Sequence, residues 1–488
     1  MRTFEIILLI VLTILPFAKR RILVKIRSSY VLLFLGILVL GHLLFEGYRW
    51  QMIPAYLLLL IVSWSVHSVD ISNKARQSFL RILGYMLVLV VAAIGWMLPN
   101  ILPVFTLPER SGPYVVGTSE MYVLTDMEEV ITKDPSDRRE LLYKTWYPSE
   151  ADINDREEER YVDQGSRAGF AMKYGLKPSM LNYLDYVKTD VFPEIPVAEG
   201  NFPVLIFSHG YGSKATGYYA LLAELASQGY IVINMNHTYE SLGMTAPDGS
   251  VRYFDYQFQQ EISQGGMDVM QPLIDAFKND VPYDKRHAIV QKAVTQFYEA
   301  DSERRWSDDI IYTIDLLEEW NQDGLLQGKL DLSSIGVIGH SNGGGSAGMV
   351  PLLDTRVKAA ANLDGITWGN LIDTVYQIPF LYMSADWPAE HEDINSHVYI
   401  NKSTDYFYEC KLLKSGHPNF MDIPFMIPVP AVAGTGAIDP YVGMEIVNKT
   451  VTTFFDRHLK GLNDADVRGV GDQYELLAMT IHLGDSIK

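Results

Sequence analysis

Four apolar stretches crowd the first hundred residues: Phe4–Phe17, Tyr30–Phe45, Met52–Val69 and Ile82–Leu98. They limit what this chain can fold into more than any other feature. A bilayer crossing needs about 20 mostly apolar residues, with roughly 17 as a working minimum. The last two stretches reach that minimum. The second reaches it with its flank Gly47-Tyr48-Arg49-Trp50, whose aromatics suit a membrane interface. The first is short and contains Glu5. Lys19-Arg20-Arg21 follows it, the reverse of a secretory signal's charge order. The sequence therefore predicts about four transmembrane helices over residues 1–105 and a separate domain over 111–488.

Basic residues orient such helices, because loops rich in Lys and Arg stay in the cytoplasm. The loop after the first stretch holds Lys19, Arg20, Arg21, Lys25 and Arg27, and the loop after the third holds Lys74, Arg76 and Arg81. The loop between the second and third holds only Arg49, opposed by Glu46. The fourth stretch then runs outward, and everything after Pro103 is expected outside a multi-pass cell-membrane anchor. His42 and His67 lie within the stretches, where a polar side chain satisfied between helices is the expected role. The block offers no paired carboxylates, so transport is not expected.

The rest of the chain is acidic. Residues 1–110 carry 11 Lys and Arg against 4 Asp and Glu, leaving 29 against 55 for residues 111–488. Such a body repels phosphate backbones, which argues against a nucleic-acid partner. Cys410 is the single cysteine, so an intramolecular disulfide and a Cys-rich zinc site are excluded.

From Phe202 the pattern alternates. Apolar runs at 203–208, 230–237, 335–340, 357–364, 378–385 and 406–413 read as buried strands. Helical spacing appears at Tyr218–Ser227, Asp308–Trp320 and Glu445–Leu459. Strand, helix, strand in this order indicates an open, mostly parallel α/β sheet with right-handed crossovers. Residues 241–305 interrupt the alternation and read as an insertion, either a lid or a satellite hydrophobic cluster.

Reactive groups in such sheets sit at the carboxyl ends of the strands. Gly339-His340-Ser341-Asn342-Gly343 fits G-x-S-x-G, directly after a predicted strand and before a small-residue stretch. That is the setting of a nucleophile elbow, with the amide that follows the serine at a helix N-terminus, where it favours an oxyanion. Ser341 needs a base, and His417 in Ser415-Gly416-His417-Pro418 follows the last strand of the series. The acid stays open between Asp364 and Asp386, each ending a strand between the serine and the histidine. The exit loop of the first strand, Ser208-His209-Gly210-Tyr211-Gly212, offers the Tyr211 amide as second oxyanion donor beside that of Asn342. The other histidines read as structural: His209 and His340 packed in turns, His237 capping a loop, His287 solvated, His458 at a helix end and His482 in the tail. His391 and His397 are spaced by six, which does not suit a helical metal pair. No metal and no cofactor is expected.

The segments FSHGYGS, LASQGYIVINMNH, GHSNGGG, ANLDG and SGHPNF resemble the platelet-activating factor acetylhydrolase family, α/β-hydrolases related to dienelactone hydrolases, over about residues 200–460. The resemblance implies an α/β-hydrolase fold and a triad of Ser341, Asp364 and His417, with Tyr211 and Asn342 as oxyanion amides. One departure is Asn342, where the family often has an aromatic. The function implied is a membrane-anchored serine ester hydrolase acting on short- or medium-chain acyl esters, including those of phospholipids. The alternatives are acyl transfer to a surface acceptor and a non-catalytic, membrane-tethered binding protein on a hydrolase scaffold.

Overall fold

Six of the apolar runs become neighbouring strands of one sheet. The computed structural model describes residues 1–17, 28–69, 78–388, 394–395, 397–399, 403–404 and 406–483. It divides into two compact units.

The larger unit comprises Leu107–Pro178, Lys188–Pro424 and Pro430–Lys488. Its strands are β1 (Val115–Glu128), β2 (Arg138–Ser149), β3 (Val191–Pro193), β4 (Phe202–Ser208), β5 (Ile231–His237), β6 (Gly243–Thr245), β7 (Val251–Tyr253), β8 (Leu330–His340), β9 (Val357–Leu363), β10 (Phe380–Ser384), β11 (Tyr406–Leu412) and β12 (Leu477–Leu483). Ten of them form one sheet in the order β12-β11-β10-β9-β8-β4-β5-β2-β1-β3. The stretch β11 to β5 is parallel throughout, flanked by antiparallel β12 and β2. β4 and β5 are buried along their whole length, as a parallel strand covered on both faces should be.

β1, β2, β3 and β12 were not expected from the sequence. β1 mixes buried, half-buried and exposed positions along its 14 residues, so no continuous apolar run marks it.

The insertion at 241–305 folds as the hairpin β6–β7 and three helices, Tyr256–Ile262, Gly266–Lys278 and Tyr283–Gln296. Its last residues belong instead to a helix that runs from Glu299 to Trp320, a full two turns earlier than the expected start at Asp308. Trp306, Ile310, Ile314 and Leu317 bury one side of it, at spacings of four, four and three.

The smaller unit comprises Met1–Thr106 with two segments from far along the chain, Ser179–Val187 and Phe425–Val429. Its helices are α1 (Thr3–Ile14), α2 (Ser28–Phe45), α3 (Ile53–Val69) and α4 (Ser78–Ile101). The expectation of four crossing helices needs correcting. Among the described residues one stretch, Ile82–Ile101 in α4, is long and apolar enough to cross a membrane, with a mean hydropathy of 2.2 over 20 residues. Over the described residues the other helices have 12, 18 and 17 residues. At 1.5 Å per residue they span about 18–27 Å, short of a hydrocarbon core of about 30 Å. The basic loops at 18–27 and 70–77 lie outside the described residues, as do His391 and the side chains of His67 and Arg81.

The unit also holds ionisable pairs that the sequence reading did not anticipate. Arg49 grips Glu5 with two bonds of 2.6 Å, and Arg2 joins the same carboxylate at 2.7 Å. Glu46 accepts from the first amides of α1, those of Phe4 and Glu5. His42 bonds Tyr56 at 2.8 Å and Glu46 at 3.2 Å, the satisfied role expected of it. The Glu5, His42 and Glu46 ligand atoms lie within 4.8 Å of one another, but the two guanidinium groups already balance Glu5. The late segments are tied in as well: the Trp50 indole donates to the Met180 carbonyl at 2.7 Å, and Phe105 stacks on Phe425.

Candidate active site

Ser341 stands between the end of β8 and the helix Asn342–Met349, with φ 56° and ψ −125°. A non-glycine residue adopts that conformation only where its surroundings impose it. Two glycines make the turn sterically possible. A Cβ at Gly339 would lie 2.1 Å from the Gly343 carbonyl oxygen, and one at Gly343 would lie 2.2 Å from that of Ser208. The flanking glycines of the motif are thus required by chain crossing itself.

Asp364 follows β9, also at a positive φ of 56°. Its Oδ2 accepts from His417 Nδ1 at 2.6 Å. Its Oδ1 accepts from the Ala385 amide at 2.7 Å and the Trp387 indole at 2.8 Å. The carboxylate is buried and the imidazole partly open. Because Nδ1 carries the donated proton, Nε2 is left with its lone pair. Asp386 is elsewhere engaged: its Oδ2 accepts from the Lys414 amide at 2.7 Å, tying the loop after β10 to the loop after β11. Of the two candidate acids, the structure brings only Asp364 to His417.

The loop carrying His417 is fixed from both sides. Asn419 Oδ1 accepts from the Gly416 and Gly436 amides, each at 2.8 Å. His340, read from the sequence as packing, is a strut. The Gly210 amide donates to the Tyr218 hydroxyl, which donates to His340 Nδ1, and His340 Nε2 donates to the His417 carbonyl. Burial, then the neighbouring His417, holds the His340 pKa far below the usual histidine range, so the ring stays neutral and keeps this pattern.

The same chain reaches the loop after β4. Gly210 lies against Ser341, close enough that a Cβ would sit 3.3 Å from the serine's own. His209 Nδ1 donates to the Gly210 carbonyl at 2.8 Å. A trans peptide carries its C=O and N–H on opposite sides, so this bond turns the Tyr211 N–H away from the His209 ring. The Tyr211 side chain packs on Trp306 and Phe254.

A second Ser–His–Asp chain lies in the same unit. Ser208 Oγ meets His237 Nε2 at 2.8 Å, and His237 Nδ1 meets Asp309 at 2.7 Å. All three are fully buried, and Arg139 donates to both oxygens of Asp309, at 3.1 Å to Oδ1 and at 2.8 Å to the Oδ2 that His237 also meets. None of them can meet a substrate, so geometry without access makes this group a brace. His237 therefore does more than the expected loop cap.

Access exists at the first group. A cavity of about 330 Å³ is lined by Ser341, Asn342, Asp364 and His417 together with Glu299, Glu303, Trp368, Trp387 and Asn395. The last five were not found from the sequence. Glu299 and Glu303 stand four apart on one helix face, at the end of the stretch read from the sequence as an insertion. Burial pushes the Glu303 carboxyl well above the usual range and raises Glu299 too.

Residues 102–473 match the family model described as platelet-activating factor acetylhydrolase, isoform II. The chain belongs to the platelet-activating factor acetylhydrolase family. The match begins about a hundred residues before the motifs that carry the resemblance and so takes in β1 to β3. A platelet-activating factor acetylhydrolase of Cavia porcellus is 24% identical over 380 residues, 72% of this chain and 78% of that one. A probable 1-alkyl-2-acetylglycerophosphocholine esterase of Arthroderma benhamiae is 23% identical over 423 residues, 79% of this chain and 96% of that one. Among solved structures, a ferulic acid esterase from Streptomyces cinnamoneus aligns with a TM-score of 0.59 at 22% identity, covering 78% of this chain and all of that one. That likeness carries the fold, a mostly parallel sheet with helices of the α/β-hydrolase type.

Proposed function

We propose that this family member is a membrane-anchored serine ester hydrolase. The observation that carries the reading is the Asp364–His417 bond of 2.6 Å opening onto the cavity that also holds Ser341. His417 Nε2 takes the Ser341 hydroxyl proton as Oγ attacks the ester carbonyl. Asp364 holds the ring and stabilises its charged form. The Asn342 and Tyr211 amides receive the oxyanion. The C–O bond to the alcohol breaks as His417 returns the proton to it, and water then releases the acid from the acyl-enzyme by the same route. The substrates are short- or medium-chain acyl esters, including those of phospholipids, as the activities named for the relatives support. Anchoring rests on the apolar length of Ile82–Ile101, and an outward-facing hydrolase unit rests on the basic loops of the sequence.

The test is covalent labelling with a fluorophosphonate. Wild-type protein should label at Ser341 and hydrolyse p-nitrophenyl acetate. Ser341→Ala should lose both, with turnover down by roughly 10⁶, while remaining folded. A folded Ser341→Ala protein that still labels would place the nucleophile elsewhere.

A further inference from the structure

The turn that presents Asp364 is bonded on both sides of its Cα. Before it, the Asp364 amide donates to the Met383 carbonyl at 2.8 Å. After it, the Asn362 side chain grips the next residue with both of its polar atoms. Asn362 Oδ1 accepts from the Gly365 amide at 2.8 Å, and Nδ2 donates to the Gly365 carbonyl at 3.1 Å. A backbone has only two soft dihedrals per residue, so holding the peptide planes on both sides of Asp364 fixes where its Cβ points. That matters because Asp364 stands at φ 56°, which an aspartate keeps only where its surroundings hold it. The bonds to Ala385, Trp387 and His417 then act on a carboxylate whose root is already placed.

Asn362 is fully buried, and the Gly365 amide can only donate while the Gly365 carbonyl can only accept, so one orientation of the side-chain amide satisfies both. Nδ2 also donates to the Tyr399 hydroxyl, which meets the Thr367 hydroxyl, and Thr367 donates on to the Gly345 carbonyl at 3.4 Å. Gly345 lies in the helix that follows Ser341. The asparagine is thus wedged between the acid's turn and the nucleophile's. A Cβ at Gly344 would lie 2.3 Å from Asn362 Oδ1, and one at Gly365 would lie 2.2 Å from the Ser341 carbonyl oxygen. The Ser341 amide completes the link by donating to the Leu363 carbonyl at 2.9 Å. From this arrangement we propose that Asn362, oriented by Tyr399, is a positioning residue that sets Asp364 relative to Ser341, so that one imidazole can serve both. Asn362 itself stands outside the cavity lining and acts through Asp364. This inference rests on the esterase reading above and adds the residues that hold its acid in place.

Full-length protein in detergent carries the test, with p-nitrophenyl acetate as substrate and active sites counted by exhaustive fluorophosphonate labelling. Asn362→Ala should lower kcat per labelled site by roughly a hundredfold, the cost of misplacing a reacting group by about 1 Å, with KM within about twofold of wild type. Tyr399→Phe, which removes one hydroxyl, should lower kcat per site by roughly three- to tenfold, the worth of one hydrogen bond. In an Asp364→Asn background each substitution should cost less than about twofold, because both act through a carboxylate that is no longer there. A role in folding alone would reduce the number of labelled sites and leave kcat per site unchanged. A role independent of Asp364 would cost as much in the Asp364→Asn background as in wild type. Either result would overturn the proposal, and so would a raised KM at constant kcat. If Asn362→Ala does not fold, Tyr399→Phe decides, and a kcat per site equal to wild type there would overturn it. Wild-type protein that neither labels nor hydrolyses the ester would instead sink the esterase reading itself.

Discussion

At the scale of residues, Asp364 and Asp386 are separated by very little. Both end strands, both sit at the same sheet edge, and both have a carboxylate oxygen bonded by a backbone amide. The sequence leaves them open because strand ends alone do not say which way a loop turns. The structure separates them through the Trp387 indole and the Ala385 amide, which clamp Oδ1 of Asp364 and leave Oδ2 for the imidazole. Asp364→Asn should lower kcat by about 10⁴, since an amide there favours the wrong tautomer, as known from triads of this kind. Asp386→Asn should cost less than tenfold, read in the same assay on p-nitrophenyl acetate. The opposite order would move the acid to Asp386. Ser341 and His417 were legible because a glycine-framed serine after a strand and a histidine after the last strand of the series are local patterns. Glu303 and Asn395 were not, because their places beside the cavity come from packing of distant segments.

Among elements, the parallel strands were legible as continuous apolar runs, while β1 and β12, half exposed, left no such run. The helix Tyr219–Ser227 was legible too, but what holds its N-terminus was not. Asp422, two hundred residues away, accepts from the Tyr219 amide at 2.7 Å, the Ala220 amide at 3.1 Å and the Tyr161 hydroxyl at 3.0 Å, and is fully buried. Asp422→Ala would orphan three buried donors and should lower the unfolding free energy by about 2–4 kcal/mol, measured by denaturant titration in detergent. Burial, opposed by those three bonds, pushes the Asp422 pKa from 3.8 up to about 6. Between those values the folded state keeps a proton that the unfolded chain releases. Its contribution is therefore fully present below about pH 4 and lost as pH rises through about 6. The stability difference between wild type and Asp422→Asn should move against the wild type by up to about 3 kcal/mol over that window and stay flat above it. A difference independent of pH would mean that Asp422 titrates normally.

At the scale of the whole molecule, the proposed topology follows from the eight basic residues of the first and third loops. In intact cells, added protease should reach the charged stretch at 151–160 and a tag placed after Lys488. A tag near Lys25 should stay protected. Protection of the carboxyl-terminal tag would reverse the orientation.

The smaller unit is built from three stretches of sequence, the last ending at Val429. Chain order then becomes a schedule. Translation at about 5–20 residues per second leaves roughly 15–65 s between the emergence of Thr106 and that of Phe425. During that interval Phe105 waits for the ring of Phe425 that stacks on it, and this last piece comes from the stretch just beyond His417. The smaller unit is thus completed only after all of the larger one but its last stretch, Pro430–Lys488, has been made, so a chain broken off before residue 425 would present quality-control proteases with an unfinished helical unit.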